Sequence, residues 1–285
     1  MHALWVFCTF AAFGQGTPTT WYEWYRFNFD ENVRWMQARE QAKQSKIAAG
    51  RPVVPARVGV FADFGVWHLG ARSIVEALER EDVPCQVLFR TSIVPSQLAA
   101  FDVIVLPGGW APYQLLVLDK SAQGALKDFV NNGGRCVGVC AGAYLVSRTV
   151  RWEETDYRYP LELFDGTAKG PVPGLAAWPQ AGPVRLTTTD EGIARGLKVI
   201  EGRDIYYGGG SCFVGGTGAS TLARYPNGSA AVIRFPVGKG EVVLSGVHFE
   251  RPAPAAGSDD APPPEIAGKI LKSLLVAARQ AATRN

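Results

Sequence analysis

One pentapeptide constrains this 285-residue chain more than any other stretch: Gly138-Val139-Cys140-Ala141-Gly142. It closes an apolar run whose β-branched Val137 and Val139 suit a buried strand, and Ala143 and Tyr144 then open a helical pattern. A cysteine with a glycine two residues to either side is the G-x-C-x-G form of a nucleophile elbow, a sharp strand-to-helix turn. Such a turn strains the backbone at its centre, so the flanking residues must lack bulk. The sulfur then projects from the C-terminal edge of the sheet at the start of a helix, where peptide dipoles favour a thiolate. The Ala141 amide is left to face a developing oxyanion. The bland reading of the same residues is a buried cysteine on a glycine-rich turn.

Two further stretches favour the chemical reading. Residues 102–106 form an apolar strand followed by Pro107-Gly108-Gly109, whose amides can supply a second oxyanion donor. Residues 241–250 read as an apolar strand ending in His248-Phe249-Glu250. Alternation along a strand puts His248 and Glu250 on one face, where the carboxylate can orient the imidazole. The Tyr206-Tyr207-Gly208-Gly209 turn is a second glycine-rich loop, and no Gly-Lys-Ser/Thr follows it to make a phosphate loop.

In that order, strand-PGG, strand-G-x-C-x-G-helix and strand-G-x-H-x-E resemble the class I glutamine amidotransferase-like superfamily. The form Gly138-Val139-Cys140-Ala141-Gly142-Ala143-Tyr144 is similar to the branch related to the N-terminal domain of eukaryotic biotin–protein ligases. The resemblance runs from about Arg57 to Glu250 and implies Cys140 as nucleophile, His248 as base and Glu250 as third member. It departs from the usual His-Pro-Glu in having Phe249 at the centre. It also implies that Tyr207 and Gly208 border the pocket with Tyr144, and that the substrate is a glutamine-like amide processed through a thioester. With no synthetase domain in the chain, the options are simple amide hydrolysis or delivery of ammonia to a synthetase or acceptor subunit. The alternative function is a non-catalytic or peptidase-like exported binding protein that keeps the fold. The intracellular-protease branch of the superfamily places His directly after the nucleophile, where this chain has Ala141.

Composition sets the outer limits. A net charge of +3 with 19% charged residues describes a globular chain without a Lys/Arg-dense stripe, so no nucleic-acid partner is expected. Five cysteines and three histidines, without paired zinc spacing, give no expectation of a metal site, and no cofactor motif appears. Residues 1–16 are apolar and shorter than the ~20 residues of a membrane span. They read as a signal peptide with a small-x-small site at 12–14, which favours an exported protein. No Lys or Arg precedes the apolar run, so a buried N-terminal segment in a cytoplasmic protein is the alternative.

The remaining chain divides into an aromatic-rich extension and linker at 17–55 and a domain at 56–285. In the extension, Trp21, Tyr22, Trp24, Tyr25, Phe27 and Phe29 are expected to pack onto the domain, ahead of a polar helix over 31–49. Strands are expected at 57–62, 83–89, 102–106 and 135–139, alternating with helices at 71–80 and 115–131. That alternation predicts an α/β fold with a doubly wound, mostly parallel sheet flanked by helices, and a β-rich C-terminal part. Strands are expected there at 184–189, 201–207, 220–225, 230–235 and 241–244, and a closing helix at 265–282. Asp63, Gly108, Gly109 and Cys140 all fall at carboxyl ends of parallel strands, where such sheets bind ligands. His68, in the loop after the first strand, is a candidate substrate contact or a plain surface residue.

Overall fold

A computed structural model describes residues 20–50, 52, 54–253 and 264–276. The signal-peptide reading of residues 1–16 therefore lies outside the described residues, as does the expectation of helix beyond residue 276.

The chain begins with helix α1 (Trp21–Ala48), then β1 (Val58–Phe61), α2 (His68–Glu79), β2 (Cys85–Leu88), α3 (Pro95–Leu98) and β3 (Val103–Leu106). Next come α4 (Ala111–Val117), α5 (Lys120–Asn131), β4 (Arg135–Val139), α6 (Ala141–Leu145), β5 (Ser147–Trp152), β6 (Thr155–Arg158) and β7 (Phe164–Gly170). Then follow β8 (Gly182–Val184), β9 (Thr187–Thr188), α7 (Asp190–Ala194), β10 (Ile205–Tyr207), β11 (Cys212–Val214) and β12 (Ser220–Arg224). The chain finishes with β13 (Ala230–Val237), β14 (Gly240–Ser245), β15 (His248–Pro252) and α8 (Glu265–Val276).

The core is a parallel block in the order β2-β1-β3-β4-β14. β1 and β3 are buried at every position, the pattern of strands covered on both faces. Helices flank this block, with α2 packed against α8 and α3 against α5. Gly268 permits the first of these contacts, because a Cβ there would stand 2.3 Å from the Ala77 carbonyl oxygen. Beyond β14 the sheet continues through β13, β11, β7, β5 and β6, antiparallel except where β5 meets β7. The result is the expected α/β fold with a β-rich C-terminal part.

Several local expectations change. The helix expected over 115–131 is two helices, because Asp119 caps α5 by accepting from the Ala122 amide at 2.8 Å. The polar helix expected from residue 31 begins at Trp21, where Thr20 and Glu23 form a reciprocal capping box. Of the strand expected over 201–207 only β10 forms, since residues 197–200 wind into a 3₁₀ turn. The strand expected over 184–189 is split between sheets: β8 pairs β10, whereas β9 pairs β12.

The largest change concerns His248. It does not end the strand that runs beside the elbow. β14 stops at Ser245, the chain turns, and His248 opens β15, which belongs to a separate three-stranded sheet, β15-β10-β8. Gly246 makes the turn possible, because a Cβ there would lie 1.9 Å from the Ser211 carbonyl oxygen. Among the described residues, no helix is long and apolar enough to cross a membrane.

Candidate active site

The elbow has the geometry its spacing predicts. Cys140 sits at φ +50° and ψ −107°, a conformation L side chains rarely adopt, and its amide donates to the Ser245 carbonyl at 2.8 Å. Its own carbonyl accepts from the amides of Ala143 and Tyr144. Gly142 is required because a Cβ would lie 1.9 Å from the Leu106 carbonyl oxygen of β3; at Gly138 a Cβ would lie 2.9 Å from Gly142. α6 is only five residues long, so its contribution is local. Ala141 and Gly142 stand in its first turn, where no intrahelical carbonyl lies four residues back.

β15 presents the other two residues. His248 Nδ1 and Glu250 Oε1 are 2.7 Å apart, and both side chains are buried. Cys140 is the other group that acts on the charge of the ring. Gly108 leaves the gap in which they meet: a Cβ there would lie 2.4 Å from His248 Cε1 and 3.4 Å from Cys140 Cβ. Burial works to lower the His248 pKa, but Glu250 and Cys140 outweigh it and raise it from 6.5 to about 10. The imidazole is therefore held as the cation at neutral pH, between two acidic partners. Trp67 and Tyr206 pack edge-on against the ring at 5.6 and 5.3 Å, which fixes its plane. The first turn of α2 approaches Glu250, for a Cβ on Gly70 would stand 3.6 Å from Oε1. A carboxylate is favoured at that helix end.

The sulfur opens onto a cleft of about 840 Å³. Gly109, Ala141, Tyr144 and Gly208 line it with Cys140, so the structure brings these expected residues together. The Cys140 thiol lies 3.9 Å from the Gly208 carbonyl oxygen, and the Tyr144 hydroxyl donates to the Gly209 carbonyl at 3.1 Å. Gly109 adopts φ +141° because a Cβ would collide with the Gly65 carbonyl at 2.1 Å. Tyr207 is not brought to the cleft. Its buried hydroxyl accepts from the Val172 amide at 2.7 Å and donates to the Gly210 carbonyl at 3.0 Å, bracing the loop from behind. His68 is also elsewhere: its Nδ1 pairs with Asn28 Oδ1 of α1 at 2.7 Å, and it lies outside the cleft lining.

Sequence reasoning missed the walls of the cleft. Trp110, Trp152 and Trp178 are clustered there, with ring centroids 5.5–6.1 Å apart. Only Trp110 carried a local signal, directly after Pro107-Gly108-Gly109 at a strand end. α1 adds Trp21, stacked on Trp178 at 5.3 Å, and the buried Tyr25. Burial first and the Cys140 charge second push the Tyr25 phenol well above its ordinary pKa. The aromatic extension thus packs onto the domain as expected, and its Tyr22 lines the cleft. Among the described residues, no group of three or more His, Cys, Asp or Glu is placed to hold a metal ion.

Comparison with known proteins bears on the family and the fold. The chain is 30% identical over 178 residues to the biotin–protein ligase of Schizosaccharomyces pombe, covering 53% of this chain and 26% of that protein. The chain thus spans about a quarter of that relative's length. Among solved structures, PurLQS from Thermotoga maritima is similar at TM-score 0.54 and 16% identity, covering 78% of this chain and 98% of that one. A glutamine amidotransferase crystal structure is similar at TM-score 0.50 and 19% identity, over 68% of this chain and 91% of that one. These structural likenesses establish a shared α/β amidotransferase-like fold. The family model described as "Biotin-protein ligase, N terminal" matches residues 97–279, from α3 past the end of α8 and through Cys140, His248 and Glu250. On that match over more than half its length, the chain belongs to the biotin–protein ligase N-terminal family.

Proposed function

We propose that this protein is a cysteine-dependent amide hydrolase working through a thioester. One observation carries the reading: a strained, cleft-facing Cys140 at the same gap beside Gly108 as a buried His248, whose Nδ1 is held by Glu250 at 2.7 Å. Cys140 sulfur attacks the amide carbonyl carbon, forming the S–C bond and moving the π pair onto oxygen. The amides of Gly109 and Ala141 stabilise that oxyanion. Collapse breaks the C–N bond, and the nitrogen leaves with the proton carried by His248 Nε2. Water, deprotonated by the same nitrogen, then attacks the thioester. The S–C bond breaks, an acid departs and Cys140 is regenerated. Glu250 keeps the ring oriented and its cation favoured throughout. In this reading residues 56–285 are the amide-processing unit, and residues 17–55 an extension that reaches the cleft through Tyr22. The released ammonia or amine passes to water or to an acceptor subunit.

The test is alkylation by iodoacetamide with intact-mass and peptide mapping, in wild type, Cys140→Ala and His248→Ala. A single fast adduct at Cys140, slowed about 100-fold or more in His248→Ala, is expected of an activated pair. Equal labelling of Cys85, Cys136, Cys140 and Cys212 would leave a binding cleft without a nucleophile.

A further inference from the structure

The cleft beside Cys140 does not suit a free amino acid. Among the described residues, none that lines it is Asp, Glu, Lys, Arg or His. Glutamine brings an α-ammonium and an α-carboxylate, and each would lose its water here without a counter-charge, at a cost of several kcal/mol per ion. The walls offer ring faces and edges instead. Trp110 and Trp178 lie nearly parallel, 16° apart with centroids at 6.1 Å. Trp152 stands at 83° to both, at 5.5 and 5.9 Å, and Tyr144 packs against Trp152 at 5.8 Å. Rings that hold one another in this way form a preorganised aromatic wall, whose remaining faces and edges accept a flat apolar group with little entropic cost.

The cleft also has a direction. Cys140, Gly109 and Ala141 line it, whereas His248 does not. The leaving nitrogen must lie against His248 to take its proton, so the cleft receives the other side of the scissile bond, the acyl group. We propose that the acyl part of the substrate is an uncharged aromatic ring system, and that Trp110, Trp152 and Trp178 determine this specificity. The proposal rests on the amide-hydrolase reading for its chemistry, but its binding half can be measured without turnover.

The experiment uses the Cys140→Ala protein and isothermal titration calorimetry with naphthalene-2-carboxamide and with L-glutamine. The aryl amide should bind about 30-fold more tightly or better, given the cost of burying two unpaired charges. Trp152→Leu should lose most of that advantage. Leu116→Asp, at a cleft residue 74% exposed and so harmless to the core, should weaken the aryl amide about tenfold by placing a charge beside it. In wild type, hydrolysis of naphthalene-2-carboxamide should exceed that of L-glutamine. Equal or tighter binding of L-glutamine overturns the proposal even if Cys140 proves to be an activated nucleophile. Tight aryl binding with no iodoacetamide-reactive Cys140 would overturn the hydrolase reading and leave the ligand class standing.

Discussion

The middle of β4 and its C-terminal end hold the same residue type under opposite conditions. Cys136 lies within the strand, fully enclosed, and burial alone pushes its thiol up to about 12. Cys140 lies four residues on, at φ +50°, where the strand has ended and β15 brings an imidazole to the same gap beside Gly108. Both sulfurs are shielded from bulk water, so exposure does not separate them. What separates them is the presence of an ionisable partner and a cleft. A sheet interior insulates a thiol; the carboxyl edge of the same strand lets loops and a second sheet converge on one.

The sharpest way to break that comparison is to exchange the two roles. Cys140→Ala should reduce amide turnover by about 10³-fold or more, while Cys136→Ala should leave kcat/KM nearly unchanged. Steady-state kinetics on both variants decides it, and comparable losses would mean that β4 matters only for packing. Next in size is Gly108→Ala. Its Cβ would fall 2.4 Å from His248 Cε1, so the imidazole must shift away from the sulfur. Cys140 alkylation should slow about 100-fold without a matching loss of stability, since misplacement of about 1 Å has that effect. Wild-type reactivity in this variant would disprove the gap assigned to Gly108.

Glu250→Gln probes the electrostatics. The His248 pKa is raised above its ordinary 6.5 to about 10, so its contribution to stability is present in full below about pH 6.5. It is lost as pH rises through about 10. Melting temperatures measured from pH 6 to pH 10 should fall in wild type and fall less in Glu250→Gln, whose His248 loses the carboxylate that raises it. The alkaline limb of Cys140 alkylation should move in step. Parallel melting curves would remove Glu250 from any role in charging the ring. The smallest effect is expected for the stability of Cys136→Ala, about 1 kcal/mol for a small cavity in a packed strand, read from urea unfolding. A loss several times larger would show that β4 tolerates change even less than its burial indicates.

Much of the site was legible because short-range geometry specifies it. Gly138 and Gly142 sit on the pentapeptide's own turn, and His248 and Glu250 share a face through strand alternation wherever that strand lies. The error was in which strand. The stretch 241–250 reads as one strand despite Ser245 and Gly246, and only the packing of Gly246 against the Ser211 carbonyl shows why the chain must turn before His248. His68 and Tyr207 had plausible loop positions, yet one is claimed by Asn28 of the extension and the other by the backbone at Val172 and Gly210.

By itself the amino-acid sequence determined the strained cysteine and the pairing of His248 with Glu250, because each depends on residues a few positions apart, and it signalled the parallel core through the alternation of strand and helix patterns. Tertiary structure alone decided that His248 arrives from a second sheet, that α1 brings Tyr22 to the cleft, and that three tryptophans far apart in the chain face it. An aromatic residue is equally at home in a core and in a pocket wall, so its chemistry says nothing of which it will be until distant segments have packed around it.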